Sequence, residues 1–368
     1  MLSYKECLAI LADPAKNPVE VINGLPIQIK NVPDAQIQGA ADPRYKAHEE
    51  YKAAHPREHE KPDLRTYNGI PVGAIRQSMG WPNEDISTRP IETQHLYLPV
   101  SEGAVPVRVY IPEEKSDTLR ACMIYIHGGG FIGGSIDVVE NPCKLLCDVA
   151  DAVVFNVDYR LAPETAYPGG LHDCYDTVKY VYEHADQWGI DKNKICVAGD
   201  SAGGNLAAVC ALMDRDEGAH RIAYAGLIYP TVLRTVTGYE DIVPWSLDLY
   251  DIQADKELLE EASFAIGAGD ETIGYLYMNG KTEQAFDPYI SPLMAKDFAG
   301  HCKTTIINAE YDFLRPQGEE YGRKLIEAGC DVRLIRYRGI NHGSLDMCGT
   351  YPQVEDIMRE IARDMMSL

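Results

Sequence analysis

From about residue 95 onward, short apolar runs alternate with segments whose apolar residues recur at helical spacing. The apolar runs predict strands at 122–126, 152–157, 194–198, 222–229, 304–309 and 332–337. The segments between them predict helices near 139–150, 170–187, 205–213 and 316–329, and an amphipathic helix near 352–366 closes the chain. Strands that alternate with helices favour a mostly parallel sheet with helices on both faces, so the pattern predicts an α/β fold.

Two segments depart from this alternation of strands and helices. The alternating runs 95–98 and 105–110 predict a β-hairpin at the sheet edge. Between about 231 and 288 acidic, aromatic and helical pieces replace the strands. An insertion at that point would lie over the carboxyl edge of the sheet, where open α/β sheets bind ligands, so we expect a cap there.

Residues 1–90 differ from the rest, because they are polar, rich in proline and charge, and predict short helical patches instead of strands. Asp42 and Pro43 have the composition of an N-cap followed by a first-turn proline. Apolar residues such as Ile70, Ile75 and Met79 exceed what a solvated arm would carry. We therefore predict an N-terminal cap or arm over 1–90, which covers the cleft or forms a dimer contact, and a main domain over 91–368.

A Gly-x-Ser-x-Gly motif spans 199–203, between a predicted strand and a predicted helix. A serine in so tight a turn projects its hydroxyl into a cleft, and the flanking glycines avoid collisions with the neighbouring strand and helix. The helix start also directs backbone N–H groups at any negative charge that develops beside the hydroxyl. Ser201 is therefore the candidate nucleophile.

Further motifs supply the partners that such a serine needs. The glycine loop His127-Gly128-Gly129-Gly130-Phe131 follows a predicted strand, and its freely oriented N–H groups suit an oxyanion hole. Asp312 and His342 follow two later strands, which gives the chain order Ser, Asp, His of the α/β-hydrolase triad. Glu310 is the alternative acid, and His127 is interpreted as a structural residue of the loop.

Composition narrows the classes of partner. The 368 residues carry a net charge of −22, with a sequence pI near 4.8, which disfavours nucleic acid and anionic membranes. The N-terminus lacks the pattern of a secretion signal, and no apolar run is long enough to span a bilayer. The 10 cysteines are scattered and several fall within predicted elements, which favours free thiols and a cytoplasmic protein. No metal or cofactor is expected, because Cys143 and Cys147 have no second pair at zinc spacing.

Four blocks of this sequence, 127–131, 158–164, 199–207 and the Asp312 and His342 positions, resemble the hormone-sensitive-lipase-like carboxylesterases of the α/β-hydrolase superfamily. The resemblance covers roughly residues 95–368 and implies an α/β-hydrolase fold with a helical cap. It implies Ser201 as nucleophile, His342 as general base and Asp312 as the acid that orients it. The oxyanion hole would be formed by the backbone N–H of Ala202 and by those of two of the three glycines Gly128, Gly129 and Gly130, and the sequence leaves open which two.

The sequence departs from that family at two places. Where the family has Asp-Pro-Leu-Arg-Asp-Glu-Gly around its acid, residues 312–318 are Asp-Phe-Leu-Arg-Pro-Gln-Gly, so two acids are missing. Where Gly-Phe commonly follows the histidine, Gly343-Ser344 stands instead. The second exchange removes an aromatic ring near the base and predicts a wider or more polar pocket.

These observations predict a serine carboxylesterase that hydrolyses short-chain acyl esters through an acyl-enzyme intermediate. The partner is a small-molecule ester, and the sequence leaves homo-oligomerisation open. An amidase or lactonase would use the same triad, and a non-catalytic small-molecule receptor on the same fold is an alternative from a different class.

Overall fold

Ten strands form one sheet in the computed structural model, which describes residues 1–35, 37–57, 61–234 and 241–368. They are β1 (Val19–Ile22), β2 (Leu25–Lys30), β3 (Ile91–Val100), β4 (Gly103–Pro112), β5 (Arg120–Ile126), β6 (Val153–Val157), β7 (Ile190–Asp200), β8 (Tyr224–Ile228), β9 (Lys303–Tyr311) and β10 (Val332–Asn341). Their order across the sheet is β1-β2-β10-β9-β8-β7-β5-β6-β4-β3. The seven strands from β2 to β6 in this order pair in parallel, and an antiparallel hairpin closes each edge.

The helices cover both faces of the sheet. They are α1 (Tyr4–Ala12), α2 (Pro43–Ala54), α3 (Val72–Ser78), α4 (Glu140–Ala150), α5 (Gly169–Glu183), α6 (Ala202–Asp216), α7 (Lys256–Phe264), α8 (Gly267–Tyr277), α9 (Arg315–Glu327) and α10 (Pro352–Met366). Alternate strand side chains belong to two separate apolar clusters. Ile124 belongs to the cluster that includes residues of α5, α6 and α9, and Met123 belongs to the one that includes residues of α1, α2, α4 and α10. This two-sided burial explains why the central strands read as continuous apolar runs.

The order of the strands places a ligand-binding crevice between β5 and β7. From β5 the chain moves to β6 on one side, and after α5 it returns to β7 on the other side and continues to β8. At such a reversal the loops that follow the two central strands diverge and leave a crevice at their carboxyl ends. Here those loops are 127–134 and the turn that contains Ser201.

The α/β rhythm, the hairpin β3–β4 and the α/β-hydrolase fold predicted from the sequence are confirmed. Helix α2 begins as predicted, because the Asp42 side chain accepts a hydrogen bond from the Arg44 N–H and Pro43 occupies the first turn. Within the predicted insertion at 231–288, residues 235–240 lie outside the described part. The rest contains α7 and α8, with a 3₁₀ turn at Leu247–Leu249 before them.

The expectation that residues 1–90 form helical patches without strands is wrong for 19–30, where β1 and β2 join the central sheet. The signal is present in the sequence, since Asn23-Gly24 separates two short alternating runs and both residues have positive φ, 51° and 80°. Strand β2 pairs in parallel with β10, so the N-terminal segment adds two strands to one edge of the central sheet.

A buried ion pair attaches β2 to the last helix. Lys30 is 1% exposed, and its Nζ lies 2.7 Å from Asp356 Oδ2 and 2.6 Å from Glu360 Oε1 on α10. The same ammonium donates to the Leu11 carbonyl oxygen at 2.8 Å. Because charges inside a protein are stable only when they are paired, this lysine fixes α1, β2 and α10 relative to one another.

We expect Lys30→Met to lower the free energy of unfolding by about 3–5 kcal/mol, because it leaves the Asp356 carboxylate buried without its cation. Urea denaturation at neutral pH measures the loss. Lys256→Met is the matched control, since Lys256 is 78% exposed and lies 3.6 Å from Glu260, and it should cause no measurable change. Equal stability of the two variants would contradict the role assigned to Lys30.

Candidate active site

Ser201 occupies a strained turn between β7 and α6. Its backbone has φ 54° and ψ −117°, a conformation that non-glycine residues rarely adopt. The turn is this tight because α6 starts close against β5: a Cβ on Gly203 would lie 2.0 Å from the Ile126 carbonyl oxygen. Only glycine fits at position 203, and the serine is held at the carboxyl end of the sheet as the Gly-x-Ser-x-Gly motif predicts.

The structure brings Ser201, His342 and Asp312 into one hydrogen-bonded chain. His342 Nε2 lies 2.9 Å from Ser201 Oγ, and His342 Nδ1 lies 2.8 Å from Asp312 Oδ2. Asp312 follows β9 and is fully buried, and its other carboxylate oxygen accepts a hydrogen bond from the Leu314 N–H at 2.9 Å. This geometry lets the imidazole take a proton from the hydroxyl while the carboxylate fixes the ring.

Glu310, the alternative acid, does not reach the histidine. Its carboxylate accepts a hydrogen bond from the Gly339 N–H at 2.9 Å and lies 4.0 Å from Arg338 Nε. Of the two acids at the end of β9, only Asp312 is therefore placed to orient His342.

Three carboxylates raise the pKa of His342. Burial by itself would lower this pKa, but the charge and hydrogen bond of Asp312 oppose it, and Asp200 and Asp346 add to the effect, so the pKa lies above its usual value. Burial raises the pKa of Asp200 to about 6. Burial and the charge of Asp200 raise the pKa of Asp346 to about 7. The contributions of Asp200 and Asp346 were not part of the sequence prediction.

One of the three glycines in the loop has its backbone N–H engaged by a side chain. The Gly128 N–H donates to Asp200 Oδ1 at 3.1 Å, and Tyr125 donates to the same oxygen at 3.2 Å. Gly129 and Gly130 have φ values of 119° and 61°, and a Cβ on Gly129 would lie 2.2 Å from the Gly133 carbonyl oxygen. Within the described residues no acceptor pairs with the N–H groups of Gly129, Gly130 or Ala202. Gly128 thus fixes the loop, and these three N–H groups remain for a ligand.

His127 has the structural role that was expected. Its Nδ1 is 2.7 Å from the Gly128 carbonyl oxygen, and its ring stacks on Tyr159 at a centroid distance of 4.4 Å. Burial lowers the pKa of His127 to about 4, so the ring is neutral at physiological pH. Arg160, from the 158–164 block, pairs with Asp173 at 2.8 Å and braces the neighbouring turn.

A cavity of about 490 Å³ opens onto Ser201 and His342. Its walls come from the glycine loop, from α3 and the residue after it, from the predicted insertion, and from the segments before α4 and after β9. Lining residues from these parts include Ile75, Met79, Gly129, Gly130, Val138, Ala265, Ile266, Ile273 and Leu314. This volume is within the range of small-molecule sites, and most of these side chains are apolar.

A buried ion pair within the predicted insertion lies beside this cavity and contacts the glycine loop. Arg234 Nη2 lies 2.7 Å from Asp270 Oδ1 on α8, and its guanidinium lies 5.4 Å from the centre of the Phe131 ring. Tyr277, also on α8, stacks on Phe131 at 3.8 Å. Sequence reasoning did not identify these contacts, because the ion pair joins residues 36 positions apart and no local pattern signals it.

The departures from the family pattern have local consequences. Gln317, in place of an acid, accepts hydrogen bonds from the N–H groups of Val232 and Leu233 at 2.7 and 2.8 Å, which fixes the segment after β8. Ser344 is buried next to the histidine loop.

Within residues 1–35, 37–57, 61–234 and 241–368, no group of three or more His, Cys, Asp or Glu side chains is arranged to hold a metal ion. None of the helices in these ranges is both long and apolar enough to cross a membrane.

Comparison with known proteins finds esterases. A family model described as the alpha/beta hydrolase fold matches residues 123–346. The arylesterase of Saccharolobus solfataricus is 30% identical over 274 residues, which are 74% of this chain and 84% of that protein. Esterase LipI of Mycobacterium tuberculosis is 32% identical over 289 residues, which are 76% of this chain and 83% of LipI.

Solved structures give the same result. A hyperthermophilic esterase from the archaeon Pyrobaculum calidifontis superimposes with a TM-score of 0.64 at 36% identity, over 76% of this chain and 87% of that one. An arylesterase structure has a TM-score of 0.70 at 25% identity, over 89% of this chain and 99% of that one.

We expect the rate at which a fluorophosphonate labels Ser201 to fall as pH drops through a midpoint above 6.5, the ordinary pKa of histidine. The imidazole must be neutral to take the serine proton, and its raised pKa protonates it at a higher pH than usual. Asp346→Asn removes one of the negative charges and should move the midpoint to lower pH. Labelling is followed by intact mass between pH 5 and 9.

The control for this experiment is Asp117→Asn, which removes an exposed carboxylate elsewhere on the surface and should leave the midpoint unchanged. A midpoint that does not move in Asp346→Asn, or that moves to higher pH, would contradict the electrostatic role assigned to Asp346.

Proposed function

The chain belongs to the hormone-sensitive-lipase-like carboxylesterases of the alpha/beta-hydrolase family, and we propose that it hydrolyses short-chain acyl esters through Ser201, His342 and Asp312. The observation that carries this proposal is the hydrogen-bonded chain from Ser201 Oγ through the His342 ring to Asp312, at 2.9 and 2.8 Å. A serine, a base and a buried orienting acid in this arrangement are the requirements for nucleophilic acyl transfer.

In the proposed reaction Ser201 Oγ bonds to the ester carbonyl carbon while His342 Nε2 takes the hydroxyl proton. The resulting imidazolium is stabilised by Asp312. Collapse of the tetrahedral intermediate breaks the bond to the alcohol oxygen, which leaves with the proton from His342. Water then attacks the acyl-enzyme in the same way, with His342 again as the base, and releases the carboxylic acid and free Ser201.

We propose Gly129, Gly130 and Ala202 as the donors of the oxyanion hole. Their N–H groups have no acceptor within the described part of the chain, whereas Gly128 is engaged by Asp200. Ala202 is also the first residue of α6, where the helix dipole favours a developing negative charge. Loss of one such donor commonly costs about 10²–10³ in kcat.

The walls of the cavity support a preference for short acyl chains. Ile75 of α3 and Met79, which follows this helix, line one side, and the cap contributes Ala265 and Ile273 on another, so the space around Ser201 is bounded by two separate segments. A bounded apolar cavity suits a small ester better than an extended lipid chain.

The free cysteines and the net charge of the chain support a cytoplasmic enzyme that acts on soluble esters. All ten cysteines are free thiols, as expected in a reducing compartment. A net charge of −22 disfavours binding to nucleic acid or to an anionic membrane.

We expect the purified protein to hydrolyse p-nitrophenyl acetate and butyrate with a higher kcat/KM than the octanoate and palmitate. Ser201→Ala should lose about 10⁴-fold or more of kcat/KM, because the hydroxyl that forms the acyl-enzyme is absent. Release of p-nitrophenol, measured at 400 nm, gives both parameters, and burst kinetics would report the acyl-enzyme.

Ser116→Ala makes the same chemical change on the surface, away from the cavity, and should retain wild-type activity. Palmitate as the preferred substrate would overturn the short-chain assignment. Turnover of anilides or lactones in place of all esters would favour the amidase or lactonase alternative. Binding of esters without turnover by the wild type would favour a receptor.

A further inference from the structure

One arginine of the N-terminal segment reaches across to the glycine loop. Arg76, on α3, donates from Nε to the Ile132 carbonyl oxygen and from Nη2 to the Ala162 carbonyl oxygen at 2.9 Å. Its Nη1 and Nη2 also donate to the two carboxylate oxygens of Glu164, at 2.9 and 2.6 Å. A single guanidinium, only 13% exposed, therefore connects α3 to the loop and to the 158–164 turn.

These contacts fix the part of the loop that carries the proposed oxyanion donors. The N–H groups of Ile132 and Gly133 donate to the Gly129 carbonyl oxygen at 3.1 and 2.9 Å, so Ile132 and Gly129 belong to one hydrogen-bonded turn. The Ala162 N–H donates to the Phe131 carbonyl oxygen at 3.0 Å. Arg76 thus binds Ile132 directly and binds Phe131 through Ala162.

The C-terminal end of α3 packs closely against the loop at Gly133. A Cβ on Gly133 would lie 2.5 Å from Met79 Sδ and 3.3 Å from Arg76 Cγ. Because the helix lies directly against the outer side of the loop, a change at Arg76 is transmitted to the loop backbone.

We propose that Arg76 is a positioning residue for the oxyanion hole, through which the N-terminal segment contributes to stabilisation of the transition state. This inference rests on the proposed function, since the donors it positions are those assigned to the ester reaction. Arg76 touches neither substrate nor reacting atoms, and it acts through the backbone of 129–133. A misplacement of preorganised donors by a fraction of an ångström weakens their interaction with the oxyanion but leaves ground-state binding nearly unchanged.

Glu164 provides a matched control, because it is the exposed member of the network. Its side chain is 58% exposed, and an ion pair in that setting contributes little to stability. Glu164→Gln removes the charge pair and leaves both carbonyl contacts of Arg76 in place. Arg76→Met removes the carbonyl contacts and keeps a stem of similar length.

The test measures kcat and KM for p-nitrophenyl butyrate, and the inhibition constant of an aliphatic trifluoromethyl ketone. The ketone adds Ser201 Oγ to its carbonyl carbon, and the oxygen of the adduct occupies the oxyanion hole. For Arg76→Met we expect kcat to fall about 10- to 100-fold, KM to change less than about threefold, and the ketone to bind more weakly by a factor close to the loss in kcat/KM. Glu164→Gln should stay within about threefold of wild type in all three.

Arg76→Lys keeps the charge but can donate to fewer of the carbonyl oxygens, so an intermediate kcat is expected, and it serves as the test if Arg76→Met does not fold. A loss confined to KM, or an equal loss in Arg76→Met and Glu164→Gln, would overturn the inference, since either would show that α3 only forms a wall of the cavity. Failure of the wild type to hydrolyse any ester would instead overturn the proposed function.

Discussion

The close approach of α6 to the end of β5 determines most of the active-site geometry. A Cβ on Gly203 would meet the carbonyl oxygens of Ile126 and His127 at 2.0 and 2.6 Å, and these are backbone atoms that cannot move aside. Position 203 therefore requires glycine, and the chain enters this closely packed helix through Ser201, whose backbone is strained. Strain of this kind costs about 1–3 kcal/mol and persists because the surrounding packing fixes it. One steric constraint thus sets the position of the hydroxyl and places it beside the loop that follows β5.

A second constraint is electrostatic and concerns the single imidazole. Asp312 is hydrogen bonded to the ring, while Asp200 and Asp346 act on it through their charge. These charges would favour the imidazolium of the proposed acyl transfer, but they also favour a protonated His342 in the free enzyme. Burial of the ring opposes them, because it disfavours the charged form. Asp200 has an additional role, since it accepts a hydrogen bond from the Gly128 N–H. The same carboxylate therefore acts on the charge of His342 and on the conformation of the glycine loop.

Features formed by residues close together in the sequence could be predicted, whereas contacts between residues far apart in the sequence could not. The motif around Ser201 and the glycine loop at 127–131 are runs of neighbouring residues, so their positions at the ends of two strands could be predicted. Spacing alone could not decide between Glu310, at the end of β9, and Asp312, just after it, because the choice depends on where β10 places His342. The family resemblance is what favoured Asp312. Likewise, the engagement of Gly128 by Asp200 joins residues 72 positions apart. The β1–β2 hairpin is a different case. Asn23-Gly24 is a local signal for a hairpin turn, but the polar composition of residues 1–90 obscured it.

The N-terminal segment supports both halves of the proposed chemistry. Strand β2 pairs with residues 334–337 of β10, the strand whose end delivers His342, and Lys30 fixes β2 to α10. Helix α3 lies against the loop that delivers the oxyanion donors. The domain boundary near residue 90 stays a prediction, but the contacts across it argue that the segment is more than a detachable cover. A segment that only covered the cavity would need contacts with its rim alone. This segment instead contacts the strand that precedes His342 and the loop that carries the proposed oxyanion donors. Changes in the first 90 residues should therefore affect the rate of the chemical step as well as access to the cavity.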